Sequence, residues 1–588
     1  MRSYSMPRRT KIVATIGPAT QNKEILRKLI LAGATTFRLN FSHGDHEYHA
    51  HSIQLIRQVA FELHQPVAIL QDLQGPKIRL GLFKSNAITL KTGDFFTLTS
   101  REVECNKEIS YVTYKYLVEE VPEQARILID DGKVEMLVEK VDIKNKNLYC
   151  RVIVGGILSN SKGVNFPGIC LSVKPLTTKD KKDLIFGLEN GVDWIALSFV
   201  RNSQDILEVR EIITNAGKNI PIIAKIEKHE AIKNMKEIFN LCDGVMVARG
   251  DLGVELPPED VPILQKQLIS TANSLGIPVI TATQMLDSMI NNPRATRAEV
   301  SDVANAILDG TDAVMLSNET AVGKYPIQAV ETMATIAERI EQEPTTIRIS
   351  SERKQSVTNA ISAAVSQIAE QLNAAAIISL TKTGSTARNI SKFRPRIPIL
   401  AVTPRTDVAR QLQLVWGLET LLVLDLPSAS QTFQSAINVA QENNLLEDGD
   451  LVVMTAGSIQ GITGSTDLIK IQTIRAILGK GIAVGQGLAS GRARITSYAK
   501  DLNDFESGDI LVVAKTNAEF VEMMRKASGI ITEESSLTSH AAVIGSRLGV
   551  PVILGFKDAM KNIPEGIIIT IDTENGQVYS GIAKNKYS

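Results

Sequence analysis

Cysteine is scarce in this 588-residue chain, and excess charge of either sign and long apolar runs are missing from it. Its four cysteines, Cys105, Cys150, Cys170 and Cys242, stand at spacings that suit neither a zinc pattern nor a disulfide framework. A reduced, cytoplasmic protein is therefore expected. Lys+Arg and Asp+Glu number 64 each, so no basic excess points to nucleic acid. No apolar stretch approaches the ~18 residues of a transmembrane helix, which argues against a membrane protein. Met1–Thr10 carries basic residues without an apolar centre, so no secretory signal is expected. What remains is ordinary: 44% hydrophobic and 22% charged residues, in a chain long enough for several domains.

The regular feature is alternation. Short apolar runs at 11–17, 35–42, 67–73, 193–200, 221–227, 243–249, 278–284 and 313–319 read as strands, with helical stretches between them. Connections of this length suit parallel strands. Eight strand–helix units predict a closed (β/α)8 barrel within an α/β chain, with an open doubly wound sheet as the alternative. Between the third and fourth runs the pattern breaks. Residues 74–174 hold β-like segments joined by polar turns, and predict a small all-β unit inserted as a lid over the barrel's active face. Residues 345–473 read as a second α/β unit, and 474–588 as a compact β/α unit. The barrel would then comprise 1–73 and 175–344.

Most of the runs end in polar residues, and Pro221–Pro257 is the densest case. One run delivers Lys225 and Glu227, the next Arg249 and Asp251. Two carboxylates can hold a divalent metal, and a lysine beside them can offset charge developing in a transition state. Arg38, Asn40, Ser42, Asp72, Ser198 and Thr283 end other runs. In the second α/β unit, Thr381-Lys382-Thr383-Gly384-Ser385-Thr386 joins a strand to a helix. Its hydroxyls, lysine and backbone N–H groups suit a phosphate; the bland alternative is a helix cap. His43, His46, His49 and His51 do not share one helix face, so no zinc cluster is expected there. Asp45 should cap the helix at 46–63. Lys179–Lys182, with Asp180 and Asp183, reads as a solvated helix start.

Several motifs resemble those of pyruvate kinase: ATIGPAT (14–20), FRLNFSHG (37–44), QDLQGPKIR (71–79), SKGVNFPG (161–168), AKIEKHEA (224–231), MVARGDLGVELP (246–257), TATQMLDSM (281–289) and RATRAEVSDVANA (294–306). The resemblance spans about residues 8–473. It implies a barrel with a lid and an effector-binding domain, transfer of a phosphoryl group from phosphoenolpyruvate to ADP, and a homotetramer. It also implies that Glu227 and Asp251 bind Mg2+ or Mn2+, that Lys225 balances charge and that Arg38 holds the phosphoryl group. The N–H groups of Gly250 and Asp251 would take the substrate carboxylate, and Thr283 would order proton delivery. His43, Arg79, Lys162 and Asn40 would face the nucleotide.

Two departures from the family pattern matter. Many members hold K+ at positions matching Asn40, Ser42, Asp72 and the following residue, and carry Thr-Lys after the aspartate and a glutamate three positions further on. Here those places hold Leu73, Gln74 and Lys77. The Lys77 ammonium is expected to stand in for K+, giving activity without it. Second, no arginine lies between Arg410 and Arg475 to grip a sugar bisphosphate. A sugar monophosphate or AMP is the expected activator at 381–386. The last unit resembles the swivelling phosphohistidine domain of phosphoenolpyruvate synthase and pyruvate phosphate dikinase, through Leu537-Thr538-Ser539-His540-Ala541-Ala542. No domain that would phosphorylate His540 is recognised, so a structural role is expected, with phosphotransfer through His540 as the alternative. A barrel lyase or aldolase acting on pyruvate enolate, and a sensor without catalysis, are the rival functions.

Overall fold

The computed structural model of the chain describes residues 8–343, 356–424, 429–457, 466–474, 477–501 and 504–581. The expected division at 344/345 and Arg475 lie outside the described residues. Eight strands form a closed barrel: β1 (Lys11–Thr15), β2 (Thr36–Asn40), β3 (Ala68–Asp72), β4 (Trp194–Leu197), β5 (Ile222–Ile226), β6 (Gly244–Ala248), β7 (Val279–Ala282) and β8 (Ala313–Leu316). All pairs are parallel, and β1 pairs with both β2 and β8, which closes the ring and excludes the open sheet.

Side chains alternate along each strand between the helix layer and the barrel interior. Phe37, Leu39, Ile69, Ala224 and Ile226 join the outer core against the helices. Ala68, Leu70, Trp194, Ile223, Met246 and Ile280 fill the interior. Continuing the inward parity to the carboxyl ends puts Arg38, Asn40, Asp72, Lys225 and Glu227 at the mouth. Apolar filling below and charge above thus follow from one period-2 pattern. The floor is different. Leu414, from the second α/β unit, joins the interior cluster from the opposite end. Next to it, Trp194 donates its indole N–H to the Gln411 carbonyl at 3.0 Å and Arg410 pairs with Asp193 at 2.7 Å.

The helices mostly follow expectation. Asp45 accepts the Tyr48 N–H at 2.8 Å and caps His46–Glu62. The crossover after β5 is two short helices, His229–Lys233 and Met235–Leu241. The charged run at 179–182 does start a helix, Thr178–Glu189, with its lysines exposed, but its acids are not solvated. Asp180 and Asp183 are buried. Asp180 forms a capping box with Thr177 and accepts the Gly75 N–H, while Asp183 binds His46 and Lys179. These acids are buried because each has partners that replace water.

The insertion is an all-β unit. Its six-stranded sheet runs in the order Val164–Asn165, Arg126–Ile129, Val134–Asp142, Asn147–Val154, Phe95–Thr99, Ile109–Tyr111. A second sheet pairs Ala87–Leu90 with Gly156–Ser159. Phe96, Leu98, Ile127, Met136, Val138 and Val152 make its own core. The second α/β unit carries a five-stranded sheet ordered Leu418–Leu422, Ile399–Thr403, Ala376–Leu380, Leu451–Gly457, Thr466–Thr473.

The described chain divides into two compact units, residues up to 442 with 453–471, and 443–452 with the remainder from 472. The second contains an eight-stranded mixed sheet. Its centre, Leu488–Ile495, Ile510–Val513, Gly529–Thr532 and Val552–Leu554, is parallel. Helices Val521–Lys526 and His540–Leu548 pack on it through Met524, Ala541 and Ala542.

Candidate active site

The barrel mouth encloses a cavity of about 150 Å3. Arg38, Asn40, Ser42, His43, Asp72, Lys77, Arg79, Lys225, Glu227 and Asp251, all singled out in the sequence, line it together with Leu73, Gln74, Ser198 and Phe199. At its centre lies a chain of charges. Arg38 Nε donates to Asp72 Oδ2 at 2.7 Å, Asp72 Oδ1 lies 3.2 Å from Lys225 Nζ, and Lys225 Nζ lies 3.0 Å from Glu227 Oε1. Asp72 and Glu227 are each 1% exposed and Lys225 9%. Ser198 fastens the array: Lys225 Nζ donates to its Oγ at 2.7 Å, and that hydroxyl donates to the Leu73 carbonyl at 2.7 Å. The Phe199 N–H donates to Glu227 Oε2 at 2.9 Å, from a residue held at φ 56°.

Burial would raise the Asp72 carboxyl, but Lys225 and Arg38 outweigh it and hold it below its ordinary value. Burial would lower the Lys225 ammonium, but Asp72 and Glu227 outweigh it and raise it well above its ordinary value. For Glu227 burial is the dominant effect; Lys225 opposes it, Asp251 adds to it, and the carboxyl is raised. Asp72 is thus neutralised by protein cations, whereas Glu227 is left short of positive charge. With Asp251 facing the same cavity, this donor set fits a divalent cation.

Thr283 sits at the end of β7 with φ 70°, followed by Gln284 at φ 56°. A β-branched residue in the left-handed region is strained, by about 1–3 kcal/mol. The turn carries its hydroxyl to the helix Arg249–Glu255, where Oγ1 accepts the Gly250 N–H at 2.8 Å and donates to the Ala282 carbonyl at 2.6 Å. The Gly250 N–H, expected to face a substrate carboxylate, is therefore occupied. Arg249 supports the same turn, binding Asp302 at 2.6 Å and the Thr283 carbonyl at 2.8 Å.

The nucleotide-facing candidates are more dispersed. Arg79 donates to the Ser161 carbonyl at 2.9 Å, and Lys162 pairs with Asp130 at 2.9 Å, so both are tied to turns of the inserted all-β unit. His43 is exposed; its carbonyl and His49 Nε2 lie 2.9 Å apart. Lys77 is exposed, and its Cε lies 3.3 Å from where a Cβ on Gly163 would be. Among the described residues no ion pair joins it to Asp72, whose partners are Arg38 and Lys225. Ser198 was visible in the sequence as a polar strand end, but its bridging role was not. Asp302 was missed, since nothing local marks it.

Thr381–Thr386 runs from the strand Ala376–Leu380 into the helix Ser385–Ser391, with Gly384 at φ 81° making the turn. Thr381 and Thr386 are buried; Lys382 and Thr383 are exposed. His540 opens its helix after the cap Ser539, with Nδ1 2.9 Å from Thr516 Oγ1. No helix among the described residues is long and apolar enough to cross a membrane.

Comparison with known proteins agrees with this layout. Residues 7–330 match the pyruvate kinase barrel domain, 359–472 the pyruvate kinase alpha/beta domain, and 505–576 the mobile domain of PEP-utilising enzymes. Pyruvate kinase 2 of Synechocystis sp. is 70% identical over 583 residues, covering 99% of both chains. A pyruvate kinase of Staphylococcus aureus is 45% identical over 581 residues, covering 98% of this chain and 99% of its own. With the closed barrel, the charged mouth and relatives aligned from end to end, this chain belongs to the pyruvate kinase family of phosphotransferases.

Proposed function

We propose that the chain moves the phosphoryl group of phosphoenolpyruvate to ADP at the barrel mouth, with Mg2+ or Mn2+ held by Glu227 and Asp251 and without K+. The observation that carries this reading is the buried Arg38–Asp72–Lys225–Glu227 array, whose last carboxylate shares one lysine with Asp72 and faces the same cavity as Asp251. Glu227 and Asp251 would hold the divalent ion, which would supply charge neutralisation for the transferring group. Arg38, aimed by Asp72, holds the phosphoryl group. The bond from phosphorus to the enol oxygen breaks while one forms to the terminal phosphate of ADP. Lys225 faces the charge left on the enolate oxygen, and its fixed ammonium costs no reorganisation at that moment. The enolate then takes a proton at its methylene carbon. Thr283 has its own proton engaged with Ala282, so it orders that face rather than donating. The first turn of Arg249–Glu255 offers N–H groups without helical acceptors to the substrate carboxylate. Gly250 contributes once Thr283 releases it, and Asp251 is the nearer candidate. His43, Asn40, Arg79 and Lys162 line the approach of the nucleotide.

The other parts follow the sequence reading. Residues 1–73 with 175–344 form the catalytic barrel, 74–174 its lid, 345–473 the effector domain and 474–588 the extra domain. The loop 381–386 binds a phosphorylated activator with one phosphate, His540 is structural, and the enzyme is a cytoplasmic homotetramer. The monovalent-cation site at Asn40, Ser42 and Asp72 is served by Lys77, which lines the same cavity. Turnover with a tetraalkylammonium salt in place of KCl tests this. Full activity is expected, with a K+ requirement created by Lys77→Glu; a large loss in the wild type overturns it.

A further inference from the structure

Among the described residues outside the barrel mouth, one group brings together metal-ligating side chains of three kinds. Cys170, His229 and Glu230 each offer a ligand atom within 4.8 Å of the others. Cys170 is exposed on the segment by which the lid returns to the barrel, between Val164–Asn165 and Thr178–Glu189. His229 and Glu230 open the helix that follows β5. Cys170 Sγ lies 3.8 Å from His229 Nε2. Two ligands at about 2.3 and 2.0 Å from one tetrahedral ion stand roughly 3.5 Å apart, so only a few tenths of an ångström separate this pair from bonding distance.

The surroundings point the same way. His229 Nδ1 lies 3.1 Å from Glu230 Oε2 and 3.9 Å from Glu255 Oε2. All three atoms are buried, and none has a hydrogen-bond partner of acceptable geometry among the described residues. The second oxygen of Glu255 is held by Lys228, which fixes that carboxylate beside the imidazole. With Nε2 toward Cys170, the Glu255 carboxylate stands 3.9 Å away on the Nδ1 side, where a metal-binding histidine finds its orienting carboxylate.

We propose that Cys170, His229 and Glu230 bind a divalent cation of the zinc class, which ties the returning lid segment to the end of β5. Thiolate, imidazole and carboxylate suit zinc or cobalt, while Mg2+ prefers oxygen alone, so the catalytic cation does not compete here. Three protein ligands leave a fourth position for water. Glu230 also lines the gap between lid and barrel that reaches Lys77, Phe199 and Asp251. Binding at this point pins the lid where substrates must pass, and lowers turnover. The binding itself does not depend on the catalytic reading above; its effect on turnover rests on that reading.

Cobalt(II) titrated into the full-length chain under saturating Mg2+ tests the binding. The expected result is a thiolate-to-cobalt charge-transfer absorption that saturates at one ion per chain and is displaced by Zn2+. It disappears in Cys170→Ser and persists in Glu255→Gln with affinity weakened about tenfold. No such absorption in the wild type, or an undiminished one in Cys170→Ser, overturns the proposal. In the same preparations, Zn2+ should remove most of the wild-type turnover and spare Cys170→Ser, whose activity in Mg2+ alone equals that of the wild type. Equal inhibition of both overturns the tether and places the zinc effect at Glu227 and Asp251.

Discussion

The barrel mouth and the 381–386 loop are both read as places for phosphoryl groups, yet they are built in opposite ways. The mouth uses charged side chains that are buried and fastened to one another, with Ser198 and the Phe199 N–H locking the array. The loop uses a glycine at φ 81°, exposed Lys382 and Thr383, and the start of a seven-residue helix. A site that stabilises charge developing during a reaction benefits from dipoles already in place. A site that responds to a signal needs the ligand to contribute order that was absent before. The two places therefore differ at the level of side-chain fastening: the mouth's charges are buried and locked, while Lys382 and Thr383 are exposed.

The largest effect should come from breaking the fixed site. Lys225→Met is expected to cut kcat by about 10³-fold, on the scale of lost electrostatic stabilisation. Because Glu227 would be left buried without a cation and Asp72 would keep only Arg38, stability should fall by about 3–5 kcal/mol, read as a lower Tm and denaturant midpoint. A variant with unchanged Tm would mean that the array is looser than its geometry.

An intermediate effect concerns pH. Asp72 is depressed in the fold, so its contribution is present above an unfolded value of about 3.9 and is lost as pH falls through the lower folded value. Glu227 is raised, so without a divalent cation stability falls as pH rises from about 4.3 through the higher folded value. Mg2+ or Mn2+ should restore that loss. Thermal melts are expected to show a metal-induced rise in Tm at neutral pH that shrinks toward acid and is abolished in Glu227→Gln, while Asp72→Asn flattens the acid limb. A metal effect independent of pH would contradict this division.

The smallest effect should come from the loop. Lys382→Ala and Thr383→Val should leave unactivated kcat unchanged and raise the half-activating concentration of a sugar monophosphate or AMP about tenfold, the scale of one charge-assisted contact. Activity titrations check this. A change in unactivated turnover would erase the contrast between the two sites.

Much of the barrel was legible because each strand buries both faces and ends where the polar residues begin, as in β5 and β6. The same parity brought Arg38, Asp72, Lys225 and Glu227 into one mouth. Features set by distant partners were not legible. Asp180 and Asp183 read as solvated because acids usually are, but Thr177, Gly75, His46 and Lys179 supply what water would. The occupied Gly250 N–H depends on a strained turn after the neighbouring strand of the ring. Cys170 and His229 are 59 residues apart and meet only because the lid folds back.

The floor of the barrel has a consequence for how the chain can be divided. Leu414 closes the ring from below, flanked by the Trp194–Gln411 and Asp193–Arg410 links. A fragment ending near residue 343 would carry an apolar opening at its base, and Asp193 would keep Arg57 but lose Arg410. The barrel and the second α/β unit therefore share one keystone. A chain cut between them would need a new surface at the barrel's base, where Leu414 now fills the opening.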